Sequence, residues 1–245
     1  TSSLVGSGDV YKRQIKDIIR AYRIPILEVA GYEADDVIGT LATEAGRQGI
    51  TTYMMTPDKD YGQLVSDKVF MYRPKHTGGF EVMGVEEVKA KFDIQSPTQV
   101  IDMLGLMGDS SDNIPGCPGV GEKTAQKLVS EFGSIENLLE HTDQLKGALK
   151  TKVETNREMI TFSKFLATIK IDVPIQLEMD ALVREEADEN SLRSIFEELE
   201  FRTLIDRVLK KDISGNGITS ATGSKVATGK SAPSPLPLFP EEGGG

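Results

Sequence analysis

Three observations predict an α/β fold for this chain of 245 residues. Two short β-prone runs, 26–29 and 51–55, are each followed by acidic residues and then by apolar residues at helical spacing. Strands that alternate with helices favour a parallel sheet. From residue 108 onward helical patterns predominate, so we predict an α/β core over 15–107 and a helical subdomain over 108–211.

The composition is that of an acidic globular protein and excludes a membrane-spanning one. No run of about 18 apolar residues is present, and the single cysteine, Cys117, excludes an internal disulfide and fits a reducing compartment such as the cytoplasm. The formal charge of −10 argues against a nucleic-acid partner and is typical of an ordinary acidic cytosolic protein. Seven of the acids, however, fall into three clusters, and the rest of the chain has a formal charge of only −3.

The first acidic cluster opens a predicted helix. Residues 15–22 have helical apolar spacing, and 26–29 form a short apolar strand that Gly31 ends. Helical spacing resumes over 37–45, and the acids of its first turn are Glu33, Asp35 and Asp36. The helix dipole alone favours acids there. Their position after the carboxyl end of a strand, where open α/β sheets bind ligands, favours metal binding instead.

A second cluster follows the next strand. Asp58 and Asp60 come directly after the run 51–55, two residues apart, so that a curled loop would turn both toward one ion. A solvated turn with an N-cap aspartate is the alternative. The following segments are predicted to form a hairpin and two helices, at 69–72 with 80–83, at 85–92 and at 97–107.

The strongest motif is GDSSDNIPGCPGVGEKTAQKL. Asp109 and Asp112 lie three apart in a tight loop, and carboxylates at that spacing can share a hard cation. The Gly-rich turn 118–121 opens a helix and exposes backbone N–H groups suited to a phosphate. Helices predicted over 122–132 and 135–140 make this a helix–hairpin–helix. A metal site beside a phosphate cradle suggests phosphodiester chemistry.

A basic stretch over 146–170 is predicted to form one long amphipathic helix. It carries six lysines and arginines, against Glu154 and Glu158. A solvated basic face and a surface that tracks phosphates both explain this charge. Beyond an extended segment at 172–179, two short helices are predicted at 191–199 and 201–209, with a core of Phe196, Leu199, Phe201, Leu204 and Ile205.

Three segments, GYEADDVIGTLA, TPDKDYGQLV and GDSSDNIPGCPGVGEKTAQKL, resemble the 5′-nuclease domain of bacterial DNA polymerase I. The resemblance extends from residue 15 to residue 211. It implies a metal-dependent 5′-3′ exonuclease and flap endonuclease that acts on 5′ flaps and RNA primers in replication and repair. The implied fold is a PIN-like parallel-sheet core followed by a helical DNA-binding part. The family's domain begins with a further segment that has no counterpart here, so we expect an incomplete core, and polymerase domains normally follow it.

The resemblance also assigns roles to the motif residues. The first of two Mg²⁺ ions, for which Mn²⁺ can substitute, is expected on Glu33, Asp35 and Asp36. The second is expected on Asp58, Asp60, Asp109 and Asp112, and these seven acids are the candidate catalytic residues. The duplex is expected to bind through its phosphates to Gly119, Gly121 and Lys123, with Thr124 and Lys127 beside them. A K⁺ ion is a further expectation for the hairpin turn.

Two rival functions remain open at this point. A non-catalytic DNA-binding scaffold would use the helix–hairpin–helix and the basic stretch, but it leaves the acidic clusters unexplained. A metal-dependent phosphatase of small phosphoesters would use the acids, but it does not need the hairpin.

Both ends of the chain differ in composition from the rest. Residues 1–14 lack a methionine and an apolar signal-peptide core, and we interpret them as a non-native junction or a disordered end. Residues 212–245 are rich in Gly, Ser, Thr, Ala and Pro and are predicted to be a flexible linker. Within it, Leu236 to Phe239 loosely resemble peptides that dock on the replication sliding clamp, although a stiff Pro-rich linker is the simpler explanation.

Overall fold

The structure, a computed structural model, describes residues 7–75 and 77–209. It consists of two compact units, whose boundary lies between Asp188 and Glu189. The larger unit contains a small sheet and most of the helices. No helix among the described residues is both long and apolar enough to cross a membrane.

The sheet has three strands in the order β1-β2-β3, at Thr52–Met55, Val69–Pro74 and Phe80–Met83. Strands β1 and β2 are parallel, with Met54 opposite Met71. Strands β2 and β3 are antiparallel, with Met71 opposite Met83, which confirms the predicted hairpin. The sheet is therefore mixed and not parallel throughout, because the short connection from β2 to β3 can only reverse the chain.

The first strand expected from the sequence is missing. Residues 26–29 have no regular secondary structure and belong to no strand of the described chain. A strand needs a neighbour that completes its backbone hydrogen bonds, and no described segment lies alongside this run in the sheet. Helix α1 spans Ser7–Ala21 and begins well before the expected residue 15. Residues 7–14 are therefore helical and not a disordered end, because the helical spacing of Ile15, Ile18 and Ile19 continues back to Tyr11.

The helices of the larger unit fall into two groups, one next to the sheet in the sequence and one after it. The first group is α2 (Ala34–Arg47), α3 (Val85–Phe92) and α4 (Val100–Met107), and a 3-10 helix at Lys59–Leu64 connects β1 to β2. The second group is α5 (Glu122–Phe132), α6 (Ile135–Glu140), α7 (Gly147–Thr155) and α8 (Arg157–Ala167). One cluster of buried apolar side chains runs from Met54 in the sheet through Leu104 to Ile160, so both groups share a core.

Helix α4 is the centre of that core. At Gly105 an added Cβ would lie 2.8 Å from Ile135 Cδ1 and 3.0 Å from Lys164 Cα, so α4 and α8 approach closely. The buried Asp102 accepts hydrogen bonds from the Ile135 N–H at 2.9 Å and from Lys164 Nζ at 2.6 Å. Because α4 ends at Met107, this packing fixes the start of the third acidic cluster.

The predicted long helix over 146–170 is wrong, because α7 and α8 are separate helices. Asn156 lies between them with φ −108° and ψ 22°, outside the helical region. Its side chain donates a hydrogen bond to the Lys152 carbonyl at 2.8 Å, and its own carbonyl accepts from the Ile160 N–H at 2.9 Å. Asparagine thus ends one helix and starts the next, a role that its short polar side chain suits.

The second unit contains the helices α9 (Glu189–Glu198) and α10 (Arg202–Leu209). Phe196 is buried as predicted, but Phe201 is 42% exposed, so its assignment to the core is wrong. The reason is the turn between the helices, where Glu200 has a φ of +56° and Phe201 caps the surface of Phe196 at a ring distance of 6.3 Å. The predicted linker at 212–245, including Leu236 to Phe239, lies outside the described residues, as do residues 1–6.

Candidate metal centre

Three of the seven predicted acids meet in space. One carboxylate oxygen each from Asp60, Asp109 and Asp112 lie within 4.8 Å of one another. Asp60 is in the 3-10 helix after β1, and the other two are in the loop after α4. The second and third sequence clusters therefore form one site, because the 3-10 helix after β1 packs against α4.

The loop that holds Asp109 and Asp112 is closed by its own backbone. Asp109 and Ile114 exchange two backbone hydrogen bonds of 2.9 and 2.8 Å, and the Ser111 N–H donates to Asp109 Oδ1 at 2.8 Å. Gly108 enters the loop with a φ of +73°, and a Cβ there would lie 2.7 Å from the Ile114 carbonyl oxygen. Only glycine fits this position without a shift of the backbone, so the motif requires it.

Asp58 and Asp60 have different contacts although they are two residues apart. Asp58 Oδ1 accepts the Asp60 N–H at 3.0 Å and caps the 3-10 helix, as the structural alternative for this cluster predicted. Asp60 is buried, and its Oδ1 has no hydrogen-bond partner among the described residues. An unpaired carboxylate oxygen in a buried position is costly unless a cation neutralises it.

The carboxyl groups also perturb one another. Burial, together with the negative charge of Asp58, raises the pKa of Asp60 to about 6. Burial and the charges of Asp109 and Asp58 raise the pKa of Asp112 as well. Asp109 is the exception, because a hydrogen bond from Lys59 lowers its pKa. Such mutual repulsion is what a bound cation would relieve.

Lys59 is a member of this site that the sequence-based list missed. Its ammonium group contacts Asp109 Oδ2 and lies 3.8 Å from Asp60 Oδ1. Burial alone would lower the pKa of Lys59, but the hydrogen bond to Asp109 and the charge of Asp60 outweigh it and raise the pKa. The position of Lys59 between Asp58 and Asp60 in the sequence could have indicated that it belongs to the site.

The residues of the first acidic cluster make two different kinds of contact, at the start of α2 and with Tyr61. Glu33 is the exposed N-cap residue of α2, and Asp36 caps this helix end, because its Oδ2 accepts the Glu33 N–H at 3.4 Å. Asp36 Oδ1 also accepts the Lys170 N–H at 2.9 Å. Asp35 instead accepts a hydrogen bond of 2.7 Å from the hydroxyl of Tyr61, and its charge contributes to the raised pKa of Asp112. Asp35 therefore lies next to the centre, and Tyr61, which the sequence-based list also missed, connects the two.

The hairpin before α5 has the form that the sequence predicts. Gly119 has a φ of +75°, and Gly121 is the N-cap of α5, where its carbonyl accepts the Thr124 N–H at 3.0 Å. Lys123 and Lys127 are both exposed and lie four residues apart, so they share one face of the helix.

Two residues support this hairpin from behind. Lys152 Nζ donates to the Gly119 carbonyl at 3.3 Å, and a Cβ on Gly119 would meet that nitrogen at 2.5 Å. Cys117 is buried within the hydrophobic core, and burial raises the pKa of its thiol.

Two family models match the chain in tandem. The 5′-3′ exonuclease N-terminal resolvase-like domain matches residues 11–93, and the 5′-3′ exonuclease C-terminal SAM fold matches residues 95–190. The chain belongs to the 5′-3′ exonuclease family. It carries both domains of a 5′-3′ exonuclease, which confirms the resemblance drawn from the three motifs.

Curated relatives of this exonuclease chain are bacterial DNA polymerases I. The chain is 41% identical over 196 residues to DNA polymerase I of Bacillus caldotenax, and 44% identical over 196 residues to that of Bacillus subtilis (strain 168). Each match covers 79% of this chain but only 22% of the relative. The chain thus spans a small part of the length of these polymerases.

Solved structures confirm the predicted nuclease fold. The T5 5′-exonuclease with bound zinc has a TM-score of 0.55 at 21% identity, and the match covers 71% of this chain and 62% of that one. The catalytic core of Rad2 in complex with DNA has a TM-score of 0.54 at 15% identity, over 83% of this chain and 69% of that one. At such identities the likeness establishes the fold alone.

Proposed function

We propose that this chain is the 5′-nuclease part of a DNA polymerase I and hydrolyses phosphodiester bonds at 5′ flaps and RNA primers with divalent cations. The single observation that carries this proposal is the convergence of Asp60, Asp109 and Asp112, since Asp60 keeps a buried oxygen that accepts no hydrogen bond from the described residues. Oxygen-only ligands suit Mg²⁺, and Mn²⁺ as its substitute. Bound divalent metal in the T5 neighbour is consistent with such a site.

The donor set fits a hard cation at Asp60, Asp109 and Asp112, with Asp58 beside them. For a second ion the contacts favour Asp35, which Tyr61 holds beside the centre, over Asp36, whose carboxylate accepts two backbone N–H groups. Glu33 is exposed at the N-cap of α2. When bound, such ions supply Lewis acidity, which makes water a better nucleophile near neutral pH and offsets charge on the departing 3′ oxygen.

The chain's own residues hold the carboxylates of the centre in fixed positions. The loop 109–114, closed by the backbone pairing of Asp109 with Ile114, holds the carboxylates of Asp109 and Asp112 close together. A hydrogen bond from Tyr61 holds Asp35 near them. Positions fixed in this way need no reorganisation when substrate arrives, which is how preorganised charge accelerates a reaction.

We propose that the hairpin binds the duplex through its phosphates. Backbone N–H groups near Gly119 and Gly121, the side chain of Thr124, and the exposed Lys123 and Lys127 form the contact surface. A K⁺ ion in the turn stays a prediction. Lys152 already donates to the Gly119 carbonyl, so the turn has a cationic partner without such an ion.

The proposed partners follow from the relatives, which are DNA polymerases I several times longer than the region that matches this chain. Covalently linked polymerase domains are expected in the parent protein, and the bacterial nucleoid in the cytoplasm is the expected location. Docking of Leu236 to Phe239 on a sliding clamp stays a prediction. Unchanged clamp affinity after Leu238→Ala with Phe239→Ala would dispose of it.

The test is cleavage of a labelled 5′-flap duplex with Mg²⁺ and with EDTA, by this chain and by the longer parent protein. The combined change Asp109→Asn and Asp112→Asn is expected to reduce cleavage about 100-fold or more, since each 1.4 kcal/mol of lost stabilisation costs about tenfold. The matched control is Asp143→Asn, an exposed acid in another part of the unit.

Two other outcomes would point elsewhere. Full duplex binding, measured by fluorescence anisotropy, with no Mg²⁺-dependent cleavage by either protein would favour a DNA-binding scaffold. Hydrolysis of small phosphoesters that duplex DNA does not compete with would favour a phosphatase.

A further inference from the structure

The ammonium group of Lys59 lies inside the acidic cluster. It contacts Asp109 Oδ2 and lies 3.8 Å from Asp60 Oδ1, the buried oxygen to which no described residue donates a hydrogen bond. The cluster of carboxylates therefore contains a positive charge of its own, supplied by the residue between two of its acids.

Both oxygens of Asp109 are engaged in this arrangement. Oδ1 accepts the Ser111 N–H at 2.8 Å, and Oδ2 is in contact with Lys59. A hard cation that uses Asp109 as a ligand needs one of these oxygens at about 2.0–2.6 Å. The cation and the ammonium group would then carry like charges against the same carboxylate, which is unfavourable in a partly buried site.

The two partners of Asp109 differ in how easily they can leave. The Ser111 N–H belongs to a loop closed by paired backbone hydrogen bonds. The Lys59 side chain is 36% exposed and ends a flexible four-carbon stem. Arrival of a cation is therefore expected to move the lysine and leave the loop unchanged.

We propose that Lys59 is an internal counter-ion, which holds Asp60 and Asp109 together before a divalent cation binds and is displaced when the cation takes their oxygens. The proposal rests on the proposed function, because it assumes that the cluster binds a divalent cation. It makes Lys59 a positioning residue that weakens cation binding in the free protein and prevents the carboxylates from repelling one another in its absence.

The first test uses the unaltered chain. An amine-acetylating reagent is applied in EDTA and in Mg²⁺, and the labelling rate of each lysine is measured by peptide mass spectrometry. The rate at Lys59 is expected to rise severalfold with Mg²⁺, because displacement exposes the amine. Lys89, which pairs with Glu86 on the surface of α3, is the internal control and should not change. An unchanged or lower rate at Lys59 would overturn the proposal.

The second test measures Mn²⁺ affinity by titration calorimetry. Lys59→Met keeps the length of the side chain and removes the charge, and it is expected to bind Mn²⁺ about fivefold more tightly while melting at a lower temperature in EDTA. Lys59→Arg, which keeps the charge, and Lys89→Met, which removes a charge elsewhere, should bind as the unaltered chain does. Binding by the unaltered chain without tighter binding by Lys59→Met would overturn this inference alone. Absence of Mn²⁺ binding by every form would overturn the proposed function as well.

Discussion

The start of α2 and the loop 109–114 both present acidic residues in a tight space, but they use them differently. At α2 the carboxylate of Asp36 accepts the backbone N–H groups of Glu33 and Lys170, so its charge stabilises a helix end. In the loop the backbone closes on itself, and Asp112 is left to face Asp60 and Asp109. The difference teaches that an acidic cluster becomes a candidate metal site when carboxylates from distant segments meet and a buried oxygen, here Asp60 Oδ1, accepts no hydrogen bond from the described residues.

The largest effect is expected where the loop depends on glycine. Gly108→Ala would place a Cβ 2.7 Å from the Ile114 carbonyl oxygen at a φ of +73°. We expect it to lower the free energy of unfolding by about 3 kcal/mol or more, since the backbone must shift as well as adopt a strained conformation. Gly133→Ala is the matched control, because it has a similar φ of +79° but an open surrounding, and it should cost only about 1 kcal/mol. Equal losses in urea denaturation would contradict the steric explanation.

Asp60→Asn is expected to stabilise the metal-free protein and to abolish tight Mn²⁺ binding. The pKa of Asp60 in the folded state is about 6. Because this is above the value of about 3.9 in an unfolded chain, the folded state binds more protons between those pH values and loses stability as pH rises through them. At pH 7 in EDTA the variant should therefore be more stable by about 2 kcal/mol. Its unfolding free energy should fall less than that of the unaltered protein between pH 4 and pH 7, and parallel pH profiles would refute the assignment.

Tyr61→Phe tests the link between the two regions. It removes the hydroxyl that donates to Asp35 Oδ1 at 2.7 Å and leaves the buried ring in place. A loss of about 1 kcal/mol in unfolding free energy is expected from one hydrogen bond. Tyr53→Phe, on the exposed side of β1, is the control for loss of a hydroxyl alone. If Asp35 is a ligand, Tyr61→Phe should also weaken Mn²⁺ binding, and a calorimetric titration identical to that of the control would exclude that role.

Glu33→Gln is expected to have the smallest effect. Glu33 is exposed at the N-cap of α2, so the change should cost about 0.5 kcal/mol and leave Mn²⁺ affinity within about twofold. A much larger loss of Mn²⁺ affinity would show that Glu33 is a metal ligand, as the sequence motif predicts. The start of α2 would then bind metal as the loop 109–114 is proposed to do.

The sequence by itself determined the local elements and the family. Helices α2, α5 and α6 and the hairpin of β2 and β3 were predictable because periodicity, glycine and helix capping act over a few residues. The order of three short motifs, and above all the run around Asp109 and Asp112, identified the exonuclease family before any geometry was known.

Only the tertiary structure decided which of these elements meet. Residues 26–29 have the composition of a strand but have no neighbour in the sheet of the described chain, and the buried Asp102 joins α4 to α8 through Lys164. The gathering of Asp60 with Asp109 and Asp112, and the ammonium of Lys59 among them, depends on the packing of the 3-10 helix at Lys59–Leu64 against α4. These outcomes depend on hydrogen bonds and charges between residues distant in the chain, which a local pattern does not encode.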